Sequence, residues 1–285
     1  MARVKPKTTS QHVVRNGDCR HLLADIPDSS VDLVFADPPF NIGYEYDSLN
    51  DKRSCDDYLK WCQEWISQVS RVLKRSGSFW LAIGDEYAAE LAVLCKRGQR
   101  IDDPARRGMM RLTNWVIWYY TFGVSCQVKF ARSHTHLLHF TASSTPALYP
   151  DCVRVPSERQ RVYEDKRANP KGKLPDNTWI LSPSQVPDAF RRAESVWHVP
   201  RVAGTFKQRA NITTNQMPEQ ILARIMYYST KEGDLVVDPF SGSGTTGAVA
   251  KKLGRNFIGM ELSKNYAIAS QKRIDAARKG DVIDG

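Results

Sequence analysis

Apolar positions recur along this chain in two rhythms. Short unbroken runs such as Val31 to Ala36 and Leu235 to Val237 end at Pro or Gly turns, as strands buried on both faces do. Between them Leu59, Cys62, Trp65, Ile66, Val69, Val72 and Leu73 recur every three or four positions and predict a helix over 56–74. The same reading predicts a strand over 12–19, a short helix over 21–30, a strand over 31–40, a loop over 41–55, a strand over 78–83, a helix over 87–96 and extended segments over 114–121 and 137–141. Further on it predicts a helix over 218–228, a strand over 235–240, a helix over 244–253, a strand over 256–262 and a final helix over 264–279. Strands that alternate with helices predict an α/β domain with a mostly parallel sheet.

One stretch breaks the alternation. From about 143 to 211, prolines such as Pro146, Pro156, Pro170 and Pro187 interrupt every run, and Lys and Arg outnumber Asp and Glu. With no internal repeat or low-complexity tract, residues 1–142 and 212–285 read as one discontinuous α/β domain, and 143–211 as an irregular basic insertion.

Composition narrows the class. A 285-residue chain that is 41% hydrophobic can bury a core, which excludes wholesale disorder. A formal net charge of +10 favours a polyanionic partner through counterion release. The six cysteines form no C-x-x-C pair and read as reduced thiols, with neither a zinc site nor a disulfide framework. No apolar run reaches a membrane-spanning length and no secretory signal opens the chain, so the expected location is the cytoplasm, without membrane contact. His134, His136 and His139 share a predicted strand but lack carboxylate or thiol company, so no metal site is expected. Trp61, Trp65, Trp115 and Trp118 fall in periodic segments and read as core.

Two motifs carry chemistry, each at the carboxyl end of an apolar strand. Asp238-Pro239-Phe240-Ser241-Gly242-Ser243-Gly244-Thr245-Thr246-Gly247 contains G-x-G-x-x-G, and Glu261 ends the next strand, near the spacing of a ribose-gripping acid. By spacing alone a nicotinamide oxidoreductase fits, whereas a P-loop lacks its lysine. In Asp37-Pro38-Pro39-Phe40, two prolines fix the backbone and remove two donors, so the Pro38 carbonyl is held outward. With the Asp37 carboxylate and the Phe40 face, this array suits a planar ligand that bears an amino group.

Together the motifs resemble those of the DNA amino-methyltransferases. D-P-P-F early and F-S-G-S-G late, with the basic segment between, is similar to the circularly permuted β group. Supporting matches are N-G-D-C at Asn16 to Cys19, N-Q-M-P-E at Asn215 to Glu219 and F-I-G-M-E-L at Phe257 to Leu262. N-Q-M-P-E departs from the H-P-T-x-K-P of many relatives, which touches the cofactor contacts of Asn215 and Gln216.

The resemblance implies a Rossmann-like S-adenosylmethionine-dependent methyltransferase fold, a mostly parallel sheet flanked by helices, with 143–211 as the target-recognition lobe. It implies S-adenosyl-L-methionine as cofactor and double-stranded DNA as partner, with a homodimer and a cognate restriction endonuclease as further partners of the family. Asp37, Pro38, Pro39 and Phe40 would be catalytic. The cofactor would be held by Asp18, Cys19, Asp37, Asn215, Gln216, Asp238, Phe240, Ser241, Gly242, Ser243, Gly244, Thr245 and Glu261. Candidates for DNA contact are Tyr44, Tyr46, Arg154, Arg159, Arg161, Lys166, Arg167, Lys171, Lys173, Arg191 and Arg192. The implied reaction is site-specific methylation of adenine N6 with base flipping. Cytosine N4 is the nearer alternative, and an NAD-dependent oxidoreductase or a non-catalytic DNA-binding protein the alternatives from other classes. Asp18 has a second reading as a helix cap, and Glu261 as a solvated strand end.

Overall fold

The computed structural model describes residues 11–46, 49–97, 110–120, 127–128, 130–179 and 216–283. In chain order its strands are β1 (His12–Asn16), β2 (Val31–Ala36), a small antiparallel pair β3 (Glu45–Tyr46) and β4 (Leu49–Asn50), β5 (Leu73–Ile83), β6 (Arg111–Tyr119), β7 (His134–Thr141), β8 (Thr178–Trp179), β9 (Leu235–Asp238) and β10 (Asn256–Glu261). The helices are α1 (Cys19–Leu22), α2 (Cys55–Val72), α3 (Ala88–Arg97), α4 (Glu158–Arg161), α5 (Glu219–Ser229), α6 (Thr245–Lys252) and α7 (Lys264–Ala276).

The described residues form an eight-stranded sheet of order β1-β10-β9-β2-β5-β7-β6-β8. Strands β1, β10, β9, β2 and β5 run parallel, and β7 is antiparallel to both neighbours. Parallel neighbours need crossovers, which α2 supplies between β2 and β5 and α6 between β9 and β10. One face packs Cys62, Trp65 and Val69 of α2 and Leu91 of α3 against Val34 and Phe79. The other packs Leu222 and Ile225 of α5, Val249 of α6 and Ile274 of α7 against Leu33, Phe35 and Phe257. A sheet buried on both faces explains the near-continuous apolar runs of its parallel strands.

Helix α2 begins where the Ser54 hydroxyl accepts from Asp57 N, with Asp56 and Asp57 in the first turn, where the helix dipole favours negative charge. It ends earlier than its periodicity predicts. Leu73 turns extended and pairs with Val31, so helix passes into strand without a loop. A Cβ at Gly77 would lie 2.9 Å from the Leu73 side chain and 3.0 Å from Asp32 O, so this bulged segment needs its glycine.

The insertion is also less separate than its composition implies. It starts beside the beginning of β5, where Ala147 N donates to Ser76 O at 2.9 Å, and it returns as β8, whose Trp179 pairs with Trp118 at the sheet edge. Two residues are too few to show a period, which is why the sequence reading held no strand here.

Strand order reverses between β9 and β2. From β9 the chain crosses toward β10, whereas from β2 it crosses the other way to β5. The two pair directly, Leu33 with Val236 and Val34 with Val237, so both motif-bearing strands end at one edge, where a doubly wound sheet opens a crevice.

Candidate active site

A cavity of about 760 Å³ occupies that crevice, within the range of small-molecule sites. Asp37, Pro38, Pro39 and Phe40 all line it. The Tyr58 hydroxyl of α2 donates to the Pro39 carbonyl at 2.7 Å, whereas no donor among the described residues meets the Pro38 carbonyl. The loop beyond is ordered by a buried carboxylate. Asp51 accepts from the backbone N–H groups of Asn41 at 2.9 Å, Ile42 at 3.1 Å and Tyr44 at 3.3 Å. Tyr44 lines the cavity and is exposed, while Tyr46 lies in β3.

Across the crevice, Asp238, Phe240, Ser241, Gly242, Ser243 and Thr245 line the same space. Asp238 accepts from Phe240 N at 2.9 Å, and burial pushes its carboxyl up to about 7, the nearby Glu261 adding to the shift. Glu261 Oε2 holds the loop by accepting from Gly242 N, its Oε1 accepts from Ser263 N just beyond β10, both at 2.9 Å, and it lines the cavity as well. Gly244 does not line the cavity. It has φ 76° and lies under α7, where a Cβ would come 2.5 Å from Ser270 Oγ, so its service is close helix packing.

The loop rests on a charge network that the sequence reading missed. Arg273 of α7 donates to Thr245 Oγ1 at 2.8 Å and Ser243 O at 3.3 Å, and to Glu219 Oε1 at 3.2 Å. Lys252 donates to Glu219 Oε2 at 2.7 Å. Glu219 is buried at the start of α5, just after Gln216 and Met217, which line the cavity. A carboxylate opening a largely apolar helix was the available signal. Asn215 lies outside the described residues.

Asp18 is a helix cap that also faces the cavity. It caps α1 by accepting from Arg20 N at 2.9 Å. The Arg20 guanidinium, 2.6 Å from both Asp18 and Glu64, holds the Asp18 carboxyl below its usual range. Cys19 is buried and its thiol is pushed up to about 12, so it stays protonated.

The far wall was not foreseen. Arg53, Trp61, Asp85, Glu86, Trp118, Tyr120, Phe130, Arg132 and His134 also line the cavity. Trp118 is buried in the core and Trp61 packs against it, as read, and both also line the cavity, the Trp61 ring lying 5.7 Å from that of Phe240. Asp85 ion-pairs with Arg132 at 2.6 Å, and Glu86 also bonds Arg132. His134 therefore has carboxylate company after all, although no cluster among the described residues could hold a metal ion.

Among the described residues, the basic candidates of the insertion do not line the cavity. Arg154 and Lys171 pair with Asp151, Arg159 and Arg167 with Asp165, and Lys173 with Asp176. Arg161 and Lys166 are exposed, and Arg191 and Arg192 lie outside the described residues. No described helix is long and apolar enough to cross a membrane.

A doubly wound sheet that brings a glycine loop, a strand-end acid and a rigid D-P-P-F turn into one cavity defines a nucleotide-cofactor enzyme of the α/β class. The chain belongs to the DNA methylase family, whose model matches residues 31–272. It is 35% identical over 265 residues to the type II methyltransferase M.BglII of Bacillus subtilis, covering 90% of this chain and 67% of that one. It is 32% identical to the DNA adenine methyltransferase YhdJ of Escherichia coli (strain K12), covering 92% and 82%. Among solved structures, the cytosine-N4-specific PvuII DNA methyltransferase shares the fold with TM-score 0.62 at 21% identity, covering 93% of this chain and 87% of that one. The complex of M1.HpyAVI with S-adenosylmethionine shares it with TM-score 0.60 at 17% identity, covering 92% and 98%. The protein is thus a DNA methyltransferase of the N6/N4 amino type, and its cofactor is S-adenosylmethionine. The donor set fits that cofactor, with strand-end acids for hydroxyl and amino groups and a glycine loop for close approach.

Proposed function

We propose that the protein is a site-specific adenine-N6 DNA methyltransferase of the circularly permuted β group, acting in the cytoplasm on bases flipped out of duplex DNA. One observation carries the reading: the β2–β9 pairing brings the Pro38 carbonyl, which meets no donor among the described residues, and the glycine loop into a single cavity. Asp37 and the Pro38 carbonyl accept the two hydrogens of the exocyclic amino group. This localises the nitrogen lone pair, which the ring otherwise delocalises, and points it along the transfer direction. Phe40 stacks on the base, whose extrusion costs a few kcal/mol. The bound cofactor supplies an electrophilic sulfonium methyl group.

Glu261 would hold the ribose and Asp18 the cofactor adenine, with backbone help from Cys19. Asp238, Phe240 to Ser243, Thr245 and Gln216 would line its methionine part. Tyr44 lies at the cavity where a flipped base would enter. The exposed pairs of the insertion are weak in water and can exchange a carboxylate for a DNA phosphate, which fits a recognition surface. Adenine as target is supported by the resemblance to YhdJ over most of both chains. A cognate restriction endonuclease, in line with the type II relatives, and a homodimer belong to the same reading.

The test incubates the protein with unmethylated duplex and labelled S-adenosylmethionine, then identifies the modified nucleoside by mass spectrometry. N6-methyladenine is expected, and N4-methylcytosine would reassign the target. Asp37→Ala should abolish transfer while cofactor still binds; substantial turnover in that variant would refute the mechanism.

A further inference from the structure

We propose that Arg53 is an oxyanion-binding residue of the cavity, receiving an anionic oxygen from a ligand of the methyl-transfer reaction. Arg20, Arg53 and Arg132 are cavity arginines with very different surroundings. Arg20 is paired with Asp18 and Glu64, and Arg132 with Asp85 and Glu86. Arg53 has no carboxylate partner among the described residues, and its Nη1 is buried with no hydrogen-bond acceptor.

Its position is built. Arg53 N donates to Asn41 Oδ1 at 2.8 Å, and Asn41 Nδ2 donates back to Arg53 O at 3.0 Å. Asn41 follows Phe40 directly, so the loop that carries D-P-P-F also carries this cation. The guanidinium carbon stands 4.6 Å from the Trp61 ring centroid, and Trp61 packs on Phe240 of the glycine loop. Stacking on Trp61 orients the guanidinium plane and removes water from one face.

A desolvated charged N–H without an acceptor is costly, and the cost disappears when an acceptor arrives. An oxyanion is the matching acceptor, because it supplies both the lone pair and the opposite charge. Two groups in this reaction carry one: the carboxylate at the amino-acid end of the cofactor, and a backbone phosphate of the DNA strand. The inference rests on the function proposed above and gives it a ligand contact that neither motif supplies.

The experiment uses the full chain with Arg53→Gln and Arg53→Lys. It measures affinity for S-adenosylhomocysteine, for 5′-methylthioadenosine, which keeps the nucleoside but lacks the carboxylate, and for duplex DNA over a salt series. If the oxyanion is the carboxylate, Arg53→Gln loses about tenfold or more for S-adenosylhomocysteine and nothing for methylthioadenosine, with part regained in Arg53→Lys. If it is a phosphate, both nucleosides bind as in wild type, while DNA binding weakens with a log–log salt slope shallower by about one. Arg53→Gln binding all three ligands as wild type does, or losing both nucleosides equally, would overturn the assignment. Should Arg53→Gln fail to fold, Arg53→Lys decides by the same comparisons. Wild-type protein that binds neither nucleoside would instead overturn the proposed function itself.

Discussion

The Tyr58 hydroxyl and the Pro39 carbonyl meet at 2.7 Å, and this one bond sorts the two proline carbonyls of the motif. Pro39 is satisfied from within the fold, which leaves the Pro38 carbonyl as the acceptor open to a ligand. Tyr58→Phe should therefore cost about 0.5–1.5 kcal/mol of stability by removing the donor of a part-buried carbonyl, and should lower kcat while KM for S-adenosylmethionine stays the same. Thermal unfolding and steady-state kinetics check the two parts separately.

Arg273 acts on the glycine loop from behind. Arg273→Met removes its bonds to Thr245, Ser243 and Glu219 and should weaken cofactor binding about tenfold, on the scale of one charged hydrogen bond. At saturating cofactor kcat should change little, and Arg273→Lys should restore part of the affinity. An equal fall in kcat would show that the network reaches the reacting groups.

Glu261 ties the glycine loop at Gly242 N with one oxygen and the start of α7 at Ser263 N with the other. Glu261→Gln keeps one acceptor and Glu261→Ala keeps none, so cofactor affinity should fall in that order, with a loss of about 1.5–3 kcal/mol in the alanine variant. Calorimetric titration with S-adenosylhomocysteine measures it.

Two buried groups give stability opposite pH dependences. His139 lies flat on Trp80 with ring centroids 4.4 Å apart, and burial lowers its pKa from 6.5 to about 3. Its contribution is complete above pH 6.5 and is lost as pH falls through that window. Asp238, raised from 3.8 to about 7 by burial, contributes fully below pH 3.8 and loses that contribution as pH rises toward 7. Between these limits the slopes oppose each other. Asp238→Asn should therefore expose a melting temperature that falls on acidification from pH 6.5, and His139→Gln one that falls as pH rises from 4 to 7. Melting scans across that range read both signs.

Gly244→Ala places a methyl 2.9 Å from Ser270 O at a positive φ, where an L side chain is strained. Because Gly244 is set back from the cavity, the variant should lose a few kcal/mol of stability while cofactor affinity falls only through the displaced loop. Denaturant unfolding in the presence and absence of cofactor separates these effects.

Much of the molecule was legible from residue order. The apolar runs located β2, β9 and β10, the 3.6-residue period located α2, and the prolines of D-P-P-F announced an open carbonyl, because each is a local consequence of chain geometry. The far wall was not legible. Arg53, Trp61, Arg132 and His134 converge from separate elements, and Trp61 satisfies a helical period equally well as core or as cavity lining. The pairing of Asp151 and Asp165 with the basic residues of the insertion was equally hidden, since charge composition does not say which charges neutralise each other.

Residue order by itself determined that two rigid turns, one rich in proline and one in glycine, would cap buried strands. That follows from backbone sterics, which act over a few residues. Only the tertiary structure decided that those strands, about 200 positions apart, lie side by side through Leu33–Val236 and Val34–Val237, so that the turns face one cavity. It also decided which of three cavity arginines is left without a carboxylate partner among the described residues. Strand pairing and charge pairing are long-range contacts, and they are chosen by packing the whole sheet rather than by any segment of it.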